Sequence, residues 1–88
     1  MVARRKGPLL TLKKTLSTEV NIYTADVRDR SSLRIAAEDF MAKHGTPDII
    51  IASAGVSSGT LTERESDMDA FQAVLDINLV GMMNTFQP

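Results

Sequence analysis

Two short polar stretches of this chain carry side chains that could bind a ligand. Arg4 and Arg5 stand together near the start, and paired guanidinium groups can bind a phosphate through charge-assisted hydrogen bonds. Asp26 follows a run of β-branched and aromatic residues, so its carboxylate could accept from an exocyclic amine at a strand end. Each has a plainer alternative: a solvated basic terminus for the arginines, and a helix cap or loop acid for Asp26.

Two further features lie in apolar surroundings. Four small residues, Ala52, Ser53, Ala54 and Gly55, follow an isoleucine run and would let a flat or extended ligand approach the backbone closely. The alternative is that they make room for a neighbouring helix. Asn78 interrupts an apolar stretch at a cost in helix propensity, and a buried Asn must be hydrogen-bonded. Its alternative is a structural bond to a neighbouring loop.

Composition limits the classes of protein to consider. The chain has 88 residues, 43% of them hydrophobic, and a formal net charge of −1, which suits one small globular domain and gives no general attraction to nucleic acid. The absence of cysteine excludes thiolate metal sites, and the single histidine, His44, cannot form a metal cluster alone. No stretch is long enough to span a bilayer, so we expect no membrane partner and a cytoplasmic location.

The elements that would position these residues alternate between helix and strand. Helical spacing of leucines predicts a helix over 8–16, and β-branched residues predict a strand over 20–25. A second helix is predicted over 32–43, a second strand over 48–53, and a last helix from about 66 to 86. This alternation is typical of an α/β fold with parallel strands.

Local signals refine these elements. Asp29, Ser31 or Ser32 could cap the second helix, and Gly45 follows its last residues, where a left-handed conformation is usual. The second strand is apolar on both faces, which indicates burial between helices in a parallel sheet. The last helix is apolar nearly all round, which indicates burial on several sides.

The order of the stretches is more specific than any one of them. The chain resembles the middle of a short-chain dehydrogenase/reductase, and the resemblance covers nearly its whole length. It rests on four stretches in this order: VARR, ADVRD, PDIIIASAG and FQAVLDINLVG. The resemblance implies a partial doubly wound, Rossmann-like parallel sheet. Residues 1–88 would then be a partial NAD(P)-binding domain, from the end of its second strand to the helix bearing Asn78.

The resemblance also implies roles for the polar residues near the start. Arg4 and Arg5 follow the second strand of the family, where basic residues favour NADP over NAD by meeting the 2′-phosphate. NADP is therefore the expected cofactor, with NAD the alternative. Asp26 and Val27 match the pair that meets the adenine, through its amino group and its ring face.

The same resemblance assigns roles further along the chain. Ala52, Ser53, Ala54 and Gly55 match the family's Asn-Asn-Ala-Gly stretch beside the adenine ribose. Ser53 stands where the family has its second Asn, and serine is shorter with fewer hydrogen bonds to offer. Asn78 matches the catalytic asparagine, which holds a water in the proton relay to the active-site lysine.

The family's Gly-rich turn and its Ser and Tyr-x-x-x-Lys are absent from this sequence. In the doubly wound order, the strands over 20–25 and 48–53 are separated by two others, a gap of about 14 Å. We therefore expect the chain alone to fold unstably and to be inactive, as the retained or truncated part of a longer protein.

The leading hypothesis is a fragment of an NADP-preferring oxidoreductase that transfers a hydride between the nicotinamide and a small carbonyl or alcohol substrate. The parent protein is expected to form a homo-oligomer, because the matching helix of the family packs against its copy. The alternative is a non-catalytic nucleotide-binding or oligomerisation module that uses the final apolar helix. A flavodoxin-like receiver is disfavoured because it needs clustered acids at its strand ends, and here only Asp26 is available.

Overall fold

Strands and helices alternate along the first half of the chain. The computed structural model describes residues 1–61 and 63–88. Strand β1 (Val2–Ala3) is followed by helix α1 (Lys6–Thr15), strand β2 (Tyr23–Thr24) and helix α2 (Arg30–His44). The predicted α/β class is confirmed.

Helix α2 is bounded by Asp29, one of its three candidate caps, and by Gly45. The Asp29 carboxylate accepts hydrogen bonds from the backbone N–H groups of Ser31 at 3.0 Å and Ser32 at 3.3 Å. These bonds satisfy donors that have no partner within the helix, and so they fix its first turn. At the other end Gly45 has a φ of +79°, a conformation that glycine adopts without strain. The helix is longer than predicted by two residues at its start and one at its end.

Residues 65–86 form one long helical segment with a change of winding in the middle. A short 3₁₀ turn (Glu65–Asp67) leads into helix α3 (Met68–Leu75), a π-helical turn (Asp76–Val80) and helix α4 (Gly81–Phe86). The prediction of one helix to Phe86 therefore holds in outline, but the wide turn was not predicted. Among the described residues, no helix has the length and apolar character needed to cross a membrane.

The two strands pair in parallel, with Val2 opposite Tyr23 and Ala3 opposite Thr24. The ladder extends by one hydrogen bond on either side: the Tyr23 N–H donates to the Met1 carbonyl at 2.9 Å, and the Ala25 N–H to the Ala3 carbonyl at 3.1 Å. Because the strands are parallel, the residues that follow them emerge at the same edge of the sheet.

The predicted strand over 48–53 is not in a sheet. Ile49 and Ile51 are 79% and 82% exposed, and Ile50 is 47% exposed, so both faces of the run meet solvent. A strand needs a hydrogen-bonded neighbour, and none of the described residues pairs with this run. The composition of the run is that of a buried strand, but the neighbours that would bury it are lacking.

The small core lies between the sheet, α1, α2 and the long helical segment. Its buried apolar residues are Leu9, Ala25, Leu33, Ala36 and Ile77. The accessible surface is 6776 Å², about a third more than the ~5,100 Å² expected for a compact protein of this mass. The radius of gyration is 15.4 Å, against about 12 Å for a compact chain of this length. The chain is therefore an open arrangement with much uncovered apolar surface.

Candidate functional site

The carboxyl edge of the sheet brings two of the predicted site residues near each other. Arg4 follows β1 directly, and Asp26 lies two residues beyond β2. The positive charge of Arg4 is close enough to contribute to lowering the pKa of the Asp26 carboxyl. A basic group and an acceptor carboxylate thus lie at the edge where ligands bind in open α/β sheets.

Asp26 is held by Arg28, two residues further along the loop. The guanidinium donates from Nε to Oδ1 at 3.0 Å and from Nη2 to Oδ2 at 2.7 Å. The Arg28 backbone N–H donates to the same Oδ1 at 2.9 Å. The side-chain bonds from Arg28, then its backbone bond, lower the pKa of Asp26 to about 2, against a smaller opposing effect of desolvation. The carboxylate is therefore ionised and acceptor-only at any pH near neutrality.

The other predicted phosphate-binding residue, Arg5, stands at the start of α1. Its backbone occupies the N-cap position, and its side chain makes no capping hydrogen bond. Both Arg4 and Arg5 are exposed, and neither forms an ion pair with another described residue. Two guanidinium groups thus meet solvent beside the edge that carries Asp26.

Val27 packs closely against the long helical segment. A methyl group built on Gly81 would lie 2.6 Å from Val27 Cγ2 and 3.0 Å from Val27 Cβ, so only glycine allows this approach. Asn84, one turn further, donates from Nδ2 to the Val27 carbonyl at 2.9 Å. The loop that carries Asp26 is therefore fixed from the helix side as well as from the sheet.

Asn78 lies in the π-helical turn, and its side chain reaches the loop after the small residues. Its Oδ1 accepts from the Val56 N–H at 2.9 Å, and its Nδ2 donates to the Val56 carbonyl at 2.8 Å. Asn78 is exposed rather than buried, which corrects the expectation of a core position. These contacts match the alternative role predicted for Asn78, a structural hydrogen bond to a neighbouring loop. A π turn is rare and frequently occurs at functional sites.

The small residues lie next to this contact. Ala52 is half-buried, whereas Ser53, Ala54 and Gly55 are exposed. A methyl group on Gly55 would lie 3.4 Å from Asn78 Oδ1, at the short end of ordinary van der Waals contact. The backbone of this stretch is thus bare to solvent and is anchored by Asn78 through the residue that follows it.

The long helical segment connects the two groups of predicted residues. Asn78 holds the loop after the small residues, and Gly81, three positions later, contacts Val27. The hydrogen bonds to Asp26 are the main cause of the raised pKa of Arg28, and the charge of Asp76, in the same π turn, adds to it. One segment therefore positions both the Asp26 loop and the small stretch.

Sequence reasoning missed three of these contacts. Arg28 stands two positions after Asp26, a spacing at which an arginine can reach back to a loop carboxylate, and this signal was available. The glycine at 81 and the amide at 84 lie three and six residues after Asn78, but their partner Val27 is more than fifty residues away. Among the described residues, no group of three His, Cys, Asp or Glu side chains could hold a metal ion.

The chain belongs to the short-chain dehydrogenase family. A model of that family, described as short chain dehydrogenase, matches residues 1–88. The parallel β1–β2 pair, the Asp26 loop and the Asn78 turn thus lie in a domain of this family.

Two relatives illustrate the range of the family. The chain is 40% identical over 76 residues to a 2-dehydro-3-deoxy-L-rhamnonate dehydrogenase (NAD(+)) of Sphingomonas sp., covering 86% of this chain and 30% of that protein. It is 33% identical over 87 residues to an NADPH-dependent pterin aldehyde reductase of Arabidopsis thaliana, covering 97% of this chain and 36% of that protein. The chain spans about a third of the length of these curated relatives.

A solved structure supports the fold. The crystal structure of serine dehydrogenase from Escherichia coli superimposes with a TM-score of 0.85, covering 98% of this chain and 40% of that chain. Sequence identity is 23%, so this likeness concerns the fold alone. The predicted partial Rossmann-like sheet is thereby confirmed.

Proposed function

We propose that residues 1–88 supply the adenine-binding edge and the catalytic-asparagine turn of an NADP-preferring oxidoreductase. The whole protein would transfer a hydride between the nicotinamide and a small carbonyl or alcohol substrate. One observation carries the proposal: an ionised acceptor, Asp26, and the exposed Arg4 lie together at the carboxyl edge of a parallel β-pair.

The residues at this edge fit a dinucleotide. Asp26 offers an acceptor for an exocyclic amine, and Val27 offers an apolar side chain beside it. The stretch from Ala52 to Gly55 is bare and exposed where a ribose would need close approach to the backbone. The bound nicotinamide would donate or accept the hydride, and the residues of this chain would hold and orient the adenosine half.

A preference for NADP follows from charge. Arg4 and Arg5 are exposed and unpaired with other described residues, so both guanidinium groups could bind a 2′-phosphate. An acidic residue there would instead repel that group. The relatives include both an NAD(+) enzyme and an NADPH-dependent one, so the proposed preference rests on Arg4 and Arg5 and not on the relatives.

Asn78 would support the proton relay by holding a water. Its two bonds to Val56 fix the side chain, since each amide atom has one partner within 3 Å. Each atom keeps one further hydrogen-bonding position, which a water could occupy. The Val56 contact therefore orients the Asn78 amide and leaves one hydrogen-bonding position on each of its polar atoms for water.

The chain alone would be inactive. The sequence has one tyrosine, Tyr23, and its hydroxyl donates to Asp39 on α2 at 2.8 Å. Desolvation raises the pKa of Tyr23, and the bond to Asp39 raises it further. A phenol whose ionisation is disfavoured, bonded to a helix carboxylate, is poorly suited to the role of general acid and base near neutral pH.

The whole protein would be a cytoplasmic homo-oligomer, and the exposed apolar side chains of the long helical segment support the oligomer. Leu79 is 65% exposed and Met83 is 68% exposed. These residues would also serve the rival hypothesis, a nucleotide-binding or oligomerisation module without catalysis. The family membership favours the oxidoreductase.

Nucleotide binding by the intact protein tests the proposal. Calorimetric titration with adenosine 2′,5′-bisphosphate and with 5′-AMP should give at least about tenfold tighter binding of the bisphosphate, since charge-assisted bonds contribute about 1.5–3 kcal/mol. The R4A/R5A double variant should lose that preference. R34A removes an arginine from an exposed pair with Glu38 on α2 and should not change it. Equal affinities in the unaltered protein would contradict NADP preference, and binding of neither would contradict the nucleotide site.

A further inference from the structure

The Arg28 guanidinium forms a fork around Asp26. Both carboxylate oxygens accept from Arg28, Oδ1 from Nε at 3.0 Å and Oδ2 from Nη2 at 2.7 Å. The backbone N–H of Arg28 closes a third bond to Oδ1 at 2.9 Å. The plane of the carboxylate is therefore fixed by one residue, through two side-chain bonds and one backbone bond.

These bonds leave a defined part of the carboxylate unused. Each oxygen has two lone-pair positions, and Oδ1 fills both of its own with Arg28 donors. Oδ2 accepts one bond from Arg28 and keeps one position. Asp26 is half-buried, with a side chain 26% exposed, so the side chain is accessible to a ligand.

Arg28 has a second acidic group in its neighbourhood besides Asp26. Asp76, in the π turn, acts on Arg28 by charge, and Gln72 orients the Asp76 carboxylate by donating to its Oδ1 at 2.7 Å. The guanidinium is 49% exposed, and its contacts with Asp26 are the two side-chain bonds of the fork and the backbone bond.

We infer that Arg28 determines the base specificity of the nucleotide site by orienting Asp26 so that the free position of Oδ2 accepts one amine N–H of adenine. Since this role rests on the proposed function, it concerns the same site and adds a positioning residue to it. A purine that lacks the 6-amino group offers no donor to Oδ2. A purine with a 6-oxo group would bring an acceptor against an acceptor.

A lysine could not replace Arg28 in this role. Its ammonium is a compact point charge and has no planar fork to match a carboxylate at two points. It would neutralise Asp26 without fixing the plane of the carboxylate. Charge and orientation can therefore be separated by the R28K variant.

The experiment compares two ligands on the intact protein. One is adenosine 2′,5′-bisphosphate and the other is its purine counterpart with hydrogen at position 6, each titrated by calorimetry. The unaltered protein should bind the adenine compound at least about tenfold more tightly, because a bond to a charged acceptor is lost with the amine. In R28A the ratio should fall to within about twofold, and R28K should resemble R28A, since only the fork sets the ratio.

Two controls separate positioning from general stability. R34A, which removes an exposed arginine of α2, should leave the ratio unchanged. D26N should lose the ratio as R28A does, and the R28A/D26N double variant should lose no more. A merely structural arginine would weaken both ligands equally in R28A, and such an unchanged ratio would overturn the inference while the proposed function stands. Binding of neither ligand by the unaltered protein would overturn both.

Discussion

Replacing Gly81 by alanine should separate the long helical segment from Val27. The added Cβ would lie 2.6 Å from Val27 Cγ2 and 3.0 Å from Val27 Cβ. Rotation of the Val27 side chain cannot relieve the second contact, because its Cβ is fixed to the backbone. The backbone cannot retreat freely either, since Asn84 bonds the Val27 carbonyl at 2.9 Å.

Two opposing effects set the size of the change. Overpacking of this kind costs about 1–3 kcal/mol, and the rigid β-branched partner favours the upper part of that range. Alanine gains about 1 kcal/mol over glycine in a helix. The free energy of unfolding of G81A should therefore fall by about 1–2 kcal/mol. In urea, this is a midpoint shift of about 0.5–1 M at a slope near 2 kcal/mol/M.

Urea unfolding of the intact protein, followed by circular dichroism, provides the assay. G7A is the matched control, because Gly7 lies in the first turn of α1 and an added methyl meets nothing within 4 Å. That variant should be as stable as the unaltered protein or more so. V27A should restore part of the lost stability in G81A by removing the Cγ atoms. A G81A protein as stable as G7A would refute the contact described for Val27.

Three other changes test the remaining contacts. N78A should lower the free energy of unfolding by about 1 kcal/mol, because it removes both bonds to Val56 in an exposed setting, and unchanged urea unfolding would contradict this. Since the pKa of Asp26 is lowered to about 2, its contribution to stability should be full above about pH 4 and lost as pH falls towards 2. Carbon-13 NMR titration of Asp26 should detect this, and R28A should raise the midpoint. D29A should cost about 1 kcal/mol by uncapping α2, and a helix signal that melts as before would argue against the cap.

Local chemistry was enough to predict the ends of α2. Asp29 and Gly45 act through their own side chain and backbone, so the sequence near them contains the cause. The parallel pairing of β1 with β2 was not predicted in this way, because residue patterns gave no strand at Val2–Ala3 and only the family resemblance placed the end of a strand there. Features whose cause lies within a few residues could therefore be predicted.

Contacts between distant parts of the chain could not be predicted from the sequence. Asn78 was singled out by its apolar neighbours, but its partner Val56 lies 22 residues earlier, and no periodicity identifies that pairing. The π turn was missed because the apolar residues of the last segment cover too many sides to define one period. The glycine at 81 looks like an ordinary helical residue until Val27 is placed beside it.

The isoleucine run was predicted to be a strand whose sheet neighbours this sequence does not supply, and it lies outside the sheet with both faces exposed. Ile49, Ile50 and Ile51 are β-branched, which favours an extended chain between two layers. Pairing depends on neighbouring strands, and the local sequence carries no information about whether they are present.

The uncovered isoleucine run also has a consequence for solubility. Short, uncharged β-branched segments can stack in cross-β form with the same segment of other copies of the chain. Ile49 and Ile51 expose about four fifths of their surface, so every copy of this chain presents such a segment. Pro47 and Asp48 stand directly before the run, and a proline and a charge in that position act as gatekeepers against stacking. We expect P47A/D48A to form thioflavin-positive aggregates sooner than the unaltered chain.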